Sequence, residues 1–234
     1  MDGLKLTFHL AGINNQNFLM RDDETGSFWQ QISGAAISGP LKGRNLELVQ
    51  SDELTFALWK SEQPNGTLVN DVARFAPQYS KKDWDVRMQK APTVLSYAQP
   101  GLTARTLILG VRVLGAARAY VYDTVLEQKL VKDRVGGKPI LMVVGPDGQS
   151  VRAFRANLPG AAMESDFYRI QDQGSLMMDG ATGSRWNFQG CAVEGKAKGS
   201  CLDRLDIIKD YWFDWRHYNS GTSVFGQSPS AQRP

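Results

Sequence analysis

Two stretches of the chain set acid, hydroxyl and indole groups at one spacing. Asp22 and Asp23 precede Thr25-Gly26-Ser27 and Trp29, and Asp179 precedes Thr182-Gly183-Ser184 and Trp186. Such groups can line a pocket beside an aromatic ring and orient a small ligand. They are also natural turn formers, because Asp, Thr and Ser bond nearby backbone and Gly accepts positive φ. Both readings stand: a ligand-lining tip, or a self-bonded structural hairpin. With His9, the residues Ser27 and Asp22 or Asp23 make a nominal nucleophile, base and acid set. No Gly-x-Ser-x-Gly elbow accompanies them, and the second stretch has no matching histidine, so serine chemistry is not expected. The carboxylate pairs Asp22-Asp23 and Asp203/Asp206 would suit glycoside hydrolysis, but nothing separates them from surface charge. Trp59 and Trp215 complete the candidates. Trp215 lies among Tyr211, Trp212, Phe213 and Tyr218, a cluster that reads as core packing or as an aromatic platform for a flat ligand.

The elements that would position these groups come in two copies. After Met20 and Thr25-Gly26-Ser27-x-Trp29 follow Gly34, Gly39, Gly43, Leu46 and Trp59; after Met177 and Thr182-Gly183-Ser184-x-Trp186 follow Gly190, Gly195, Gly199, Leu202 and Trp215. The offset is 157 up to the first Trp and 156 from Gly34 onward. Upstream, Asp2-Gly3 and Phe8 resemble Asp147-Gly148 and Phe154 more weakly. The chain therefore divides into the C-terminal part of a first unit (1–73), an ordered connector (74–104), a second and more complete unit (105–226) and a disordered tail (227–234). The first unit reads as lacking about 40 N-terminal residues relative to the second, or as a genuine half-unit that the second completes. The connector is expected to be ordered because it carries Phe75, Tyr79, Trp84 and Tyr97.

Alternation and turn residues predict strands over 4–10, 18–20, 28–32, 46–49, 106–113, 119–122, 132–135 and 139–144. Gly136-Gly137 marks a tight hairpin. Residues 54–59 read as a strand or one helical turn. Asp123 would cap a short helix ending near Lys129, and Ser80 with Asp83 resembles a capping box before Trp84, with Pro92 beyond the helix. The fold class is α+β, predominantly β: two pseudo-repeated, mostly antiparallel β units packed together, with a few short helices.

Composition excludes several function classes. The net charge of +3 is spread along the chain, so no nucleic-acid surface is expected. No stretch approaches the roughly 20 apolar residues of a membrane span, and Met1-Asp2-Gly3-Leu4-Lys5 is not a signal peptide. The repeated glycines are not a phosphate loop, because Lys42 and Lys198 precede the last Gly instead of following it. Two histidines and no Cys-x-x-Cys or His-Glu-x-x-His make a zinc site improbable. No metal or cofactor is expected. Cys191 and Cys201 stand where the first copy has Ala35 and Asn45. Cysteines present together in one copy and absent together from the other suggest a disulfide, hence an oxidising compartment; the other reading is two small buried thiols.

Asp23-Glu24-Thr25-Gly26-Ser27-Phe28-Trp29-Gln30-Gln31, then Gly34, Ala36-Ile37 and Gly39-Pro40-Leu41-x-Gly43, resemble the bacterial and archaeal domain of unknown function 3179 family. The second copy adds Leu109-Gly110-Val111-Arg112-Val113, Ala119-Tyr120 and Asp133-Arg134-Val135-Gly136-Gly137-Lys138-Pro139-Ile140. The resemblance covers most of 2–70 and 105–225. It implies a protein of an uncharacterised and often exported family, periplasmic or extracellular. Typical members carry a Cys-Pro-x-Cys-Gly-like stretch after the Gly-Gly-x-Pro hairpin; here Val144-Gly145-Pro146-Asp147-Gly148 holds no cysteine.

The expected function is a non-catalytic binding or protein-interaction module, its partner a protein or a small ligand. The alternative is an enzyme or cofactor or small-ligand binder whose site is the Asp22, Asp23, Thr25, Ser27, Trp29 hairpin with His9 and Trp59, matched in the second copy by Asp179, Thr182, Ser184, Trp186 and Trp215. A further alternative is an accessory subunit of a larger assembly.

Overall fold

A computed structural model describes residues 3–160, 164–172 and 174–227. All of the expected disordered tail beyond Gln227 lies outside the described residues. In chain order the elements are β1 (Phe8–Asn14), β2 (Asn17–Asp22), β3 (Phe28–Gln30), β4 (Ala36–Ser38), α1 (Phe56–Glu62), a 3-10 helix (Ala73–Gln78), α2 (Trp84–Lys90), β5 (Leu107–Val113), β6 (Ala116–Val121), α3 (Tyr122–Gln128), β7 (Leu130–Val135), β8 (Lys138–Val144), β9 (Val151–Arg155), β10 (Phe167–Asp172), β11 (Ser175–Asp179), β12 (Arg185–Trp186), β13 (Ala192–Glu194), β14 (Arg204–Leu205), β15 (Ile207–Tyr211), α4 (Trp212–Tyr218) and β16 (Ser223–Val224). Strands form 37 % and helices 16 %, an α+β fold that is mostly β. Among the described residues no helix is long and apolar enough to cross a membrane.

The strands make four sheets, ordered β1-β2-β3-β4, β10-β11-β12-β13, β14-β9-β8-β7 and β15-β5-β6-β16. The chain divides into two compact units. Unit 1 gathers Met1–Gln50, Ala91–Thr106 and Tyr211–Ser220; unit 2 gathers Ser51–Lys90, Leu107–Asp210 and Gly221–Pro234.

Tight turns set the hairpin registers. Gly136 and Gly137 have φ of 57° and 74° and join β7 to β8, with Val135 opposite Lys138. Positive φ at both turn residues gives a turn whose twist suits the flanking strands. Asn15 and Gln16 (51°, 68°) do the same for β1 and β2. Gln16 pays for its left-handed backbone with contacts in unit 1: its amide accepts from Val94 N at 2.8 Å and donates to the Pro92 carbonyl at 3.4 Å.

The core of unit 2 follows from the apolar run in β8. Alternate residues of a strand face opposite sides, so Ile140, Met142 and Val144 enter one cluster with Leu109, Val111, Tyr120 and Val131. Leu141 and Val143 enter another with Phe154, Phe167, Met177, Trp186 and Leu58 of α1. Both faces of the sheet are thus covered, which is why β8 is apolar from Pro139 to Val144 instead of alternating. Each such side chain contributes roughly 1.5–3 kcal/mol by burial.

Several local expectations are corrected. β1 begins at Phe8, not Leu4. Residues 46–49 form no strand. Of the two readings of 54–59 the helical one holds: α1 starts at Phe56, and the Thr55 hydroxyl caps it by accepting from Leu58 N. Asp123 does not cap α3; Val121 holds that position without a side-chain bond, and Lys129 ends the helix at φ 60°. Phe75, Tyr79 and Trp84 are exposed, so they do not anchor the connector.

Cys191 and Cys201 form a disulfide across a bridge between extended segments, and Ala35 and Asn45 form the same antiparallel bridge in unit 1. Replacing both cysteines by serine is expected to lower stability by roughly 2–3 kcal/mol, the loop-entropy value for closing about ten residues. Urea unfolding of oxidised, reduced and double-serine protein measures it. Equal midpoints would mean that the bridge constrains nothing.

Candidate functional site

The repeated motif resolves into one hydrogen-bond arrangement made twice. In unit 1 the buried Asp22 carboxylate accepts from Thr25 N (2.5 Å) and Gly26 N (3.2 Å) through one oxygen, and from Thr25 Oγ1 (3.0 Å) and Trp29 Nε1 (2.7 Å) through the other. In unit 2 Asp179 accepts from Thr182 N (2.6 Å), Thr182 Oγ1 (2.8 Å), Ser184 N (3.1 Å) and Trp186 Nε1 (3.0 Å). Burial would raise both carboxyls, but the Trp and Thr donors outweigh it and hold them below the usual value. The hydroxyls are committed too. Ser27 Oγ sits 2.7 Å from Thr25 Oγ1 and accepts from Leu41 N at 3.0 Å; Ser184 Oγ sits 2.6 Å from Thr182 Oγ1 and accepts from Ala197 N at 2.9 Å. Gly39 and Gly195 close the arrangement. Their φ values are 91° and 92°, and a Cβ on either would stand 2.6 Å from the Ser27 or Ser184 Cα.

This geometry explains each residue type. A carboxylate is needed because it alone accepts from so many donors at once. Trp supplies an N–H that reaches it while the rings bury against Phe8 and Phe167, edge to face at 5.8 and 5.9 Å. Glycine is needed where the return strand crosses the serine backbone.

The other candidates stand apart from these pins. His9 Nδ1 pairs with the Asp23 carboxylate at 2.8 Å on the surface, where neither group bonds the Ser27 hydroxyl. Trp59 lies half-buried on α1 and stacks on Phe56 at 5.7 Å. Trp215 is fully buried on α4, with Trp212 and Phe213. In unit 1 that helix also donates from Trp212 Nε1 to the Tyr97 carbonyl at 3.0 Å, and His217 bonds Asn15 and Tyr97 at 2.9 and 2.6 Å. Among the described residues no group of three or more His, Cys, Asp or Glu is placed to hold a metal ion.

Sequence reasoning missed two features. The first is a cleft in unit 2 of about 250 Å³ lined by residues including Asp52, Glu53, Leu109, Tyr122, Val151, Ile207 and Lys209. Its lining residue Asp52 belongs to an ion-pair network that extends behind the cleft. Arg152, with 4 % of its side chain exposed, bonds Glu62 in a fork (2.8 and 2.7 Å) and Asp52 (3.1 and 2.7 Å). Arg204 bonds the other side of Asp52. Burial would lower the Arg152 guanidinium, but Glu62 and Asp52 outweigh it and push it up. Burial would likewise raise Asp52, but Arg152 and Arg204 hold it below the usual value. Next to the cleft, Asp147 accepts from Ser150 and Thr55 hydroxyls, each at 2.6 Å. Those bonds overcome its burial and bring the carboxyl down to about 2. Apart from Ser150, three residues from Asp147, these partners are separated by 90 to 152 residues of sequence, and no local pattern announces those long-range pairs.

The second is an arm. Every residue from 67 to 87 is exposed, including Leu68, Val69, Val72, Phe75, Tyr79, Trp84 and Val86. It is ordered by its own contacts. Tyr79 OH accepts from Val72 N at 2.7 Å, Arg74 lies 4.6 Å over the Phe75 ring, and Arg87 pairs with Asp83 at 3.4 Å. The signal was present as Phe75, Tyr79 and Trp84, but aromatic content alone does not tell a buried anchor from an exposed one.

A family model described as protein of unknown function (DUF3179) matches residues 1–222. No curated protein and no solved structure matches the chain.

Proposed function

We propose that this chain, which belongs to the protein of unknown function (DUF3179) family, works as a non-catalytic protein-interaction module of the periplasm or the extracellular space. The observation that carries the reading is the arm. Seven large apolar side chains are exposed on this one segment, and apolar surface concentrated in this way marks an interaction site. Phe, Tyr, Trp and Arg are the residue types that dominate binding energy at protein interfaces.

Charge selects the partner. Arg74, Lys81, Lys82 and Arg87 outnumber Asp71, Asp83 and Asp85 on this segment, Lys90 follows it, and the whole chain is +3. A second copy would bring more positive charge to a positive arm. An acidic protein complements it. In this reading the Asp22, Thr25, Ser27, Trp29 pin and its Asp179, Thr182, Ser184, Trp186 counterpart hold two copies of one family unit in shape. The disulfide supports the exported location.

The test uses the full chain and a Phe75→Ser/Tyr79→Ser/Trp84→Ser variant, both cross-linked in a cell-envelope extract. Wild type is expected to capture an acidic protein that the variant releases. After purification of that protein, Trp84→Ser alone is expected to weaken the complex at least about tenfold. Retention of every captured protein by the triple variant overturns the reading. So does self-association through the arm, seen by size exclusion, or turnover of a broad hydrolase panel.

A further inference from the structure

The cleft in unit 2 has a charge arrangement that the interaction-module reading does not use. Its floor is apolar, from Leu109, Val151 and Ile207. Its volume of about 250 Å³ corresponds to on the order of eight water volumes, the scale of one small metabolite. Its rim holds charges of both signs in two grades of commitment. Asp52 is clamped by Arg152 and Arg204 and is not available. Glu53 and Lys209 pair with each other on the rim at 2.6 Å, with 66 % of the Glu53 side chain and 28 % of the Lys209 side chain exposed. With the Glu53 end in water, such a pair is worth on the order of 1 kcal/mol or less, so a ligand that replaces both partners can open it.

The Lys209 ammonium also lies 4.6 Å from the centre of the Tyr122 ring. That ring is held in place because its hydroxyl donates to the Gln149 carbonyl at 2.6 Å. The Tyr122 face beside Glu53 is thus a seat already occupied by a cation. A ligand carrying only an ammonium would leave Lys209 without its carboxylate, and one carrying only a carboxylate would leave Glu53 without its ammonium. A ligand carrying both exchanges one ion pair for two.

We infer that this cleft binds a zwitterionic amino acid with a short aliphatic side chain. The ligand ammonium takes the seat between the Tyr122 face and Glu53. Its carboxylate takes the displaced Lys209, and its side chain rests on Leu109, Val151 and Ile207. The arm has no part in this site, so the two readings fail separately.

The experiment is titration of the full chain with L-leucine, followed by calorimetry and by methyl NMR shifts of Leu109, Val151 and Ile207. Saturable binding near about 1 mM or tighter is expected. Isoamylamine and 4-methylpentanoate, each with one of the two charges, should bind at least about tenfold more weakly. Glu53→Lys and Lys209→Glu should each lose about tenfold, and the double exchange should recover most of that loss, because it restores one charge of each sign. Far-UV circular dichroism checks that each variant keeps the fold, Lys209 being a half-buried residue of β15. Absence of saturation up to about 20 mM leucine overturns the inference. So does equal binding of a single-charge analogue, or leucine binding that ignores both single variants.

Discussion

Replacing Arg152 by alanine is expected to lower the unfolding free energy of the protein by about 3–5 kcal/mol. The guanidinium is nearly fully buried, and its two carboxylate partners, Glu62 and Asp52, are mostly buried. Removing the cation leaves two negative charges in a poorly solvated wall. Arg204 still reaches Asp52, but among the described residues no second cation pairs with Glu62, so Glu62 dominates the loss. A compensated variant separates charge from packing. Arg152→Met with Glu62→Gln keeps volume and removes the stranded charge, and should recover more than half of the lost stability, since an apolar replacement of a buried pair is often near neutral. Arg152 also lies 4.5 Å over the Phe188 ring, and methionine retains a contact there. Urea unfolding by far-UV circular dichroism gives the comparison. An alanine variant within about 1 kcal/mol of wild type would show that water already screens the network.

The second large effect is expected at Asp179. Its change to alanine removes the acceptor of the buried Ser184 N and Trp186 Nε1 and of the half-buried Thr182 N and Oγ1, while Ser184 N keeps a longer contact to Thr182 Oγ1 at 3.3 Å. Each stranded buried donor costs roughly 1–3 kcal/mol, and the terms do not add. A loss of about 4 kcal/mol is expected, near the upper end for single substitutions. Asp179→Asn keeps the shape and one acceptor oxygen but turns an amide N–H₂ toward donors, so it should fall between alanine and wild type. The pH dependence has a definite sign. The folded carboxyl is held below its usual value, so its contribution is complete above about pH 4 and is lost as pH falls through the folded value. The asparagine variant should lack that part of the acid sensitivity. Trp186 fluorescence cannot be isolated among six tryptophans, so chemical denaturation at several pH values is the measurement. An alanine variant that unfolds at the wild-type midpoint would mean that the pin is decorative.

Much of this architecture was legible because it is local. Asp, Thr, Gly and Ser close a turn within a few residues, and alternation exposes a strand's two faces, so the hairpins at 20–29 and 177–186 could be read directly. The pairing of Cys191 with Cys201 was readable from the Ala35 and Asn45 counterparts. Where a local signal had two outcomes, sequence could not choose. Thr55 lies before residues that suit a strand or a helix, and the bond from Leu58 N to its hydroxyl decided for the helix. Asp123 had the composition of a cap, yet the helix starts one residue earlier.

The candidate site divides along the same line. The acid, hydroxyl and indole residues were correctly singled out as a set, but a set of polar side chains reads alike whether it faces a ligand or itself. Their hydrogen bonds turn them inward. The cleft was invisible because Glu53, Tyr122, Val151 and Lys209 belong to separate segments whose meeting depends on how sheets stack.

The amino-acid sequence by itself determined the elements whose forces act over a few residues: turns with positive φ, alternating strands, the paired pins and their glycines. Tertiary structure alone decided burial and charge partnership. It put Arg152 between two distant carboxylates, left Trp84 in solvent and buried Trp215. The reason is that desolvation and ion pairing depend on what lies across space, and a side chain's own identity carries no record of that neighbour.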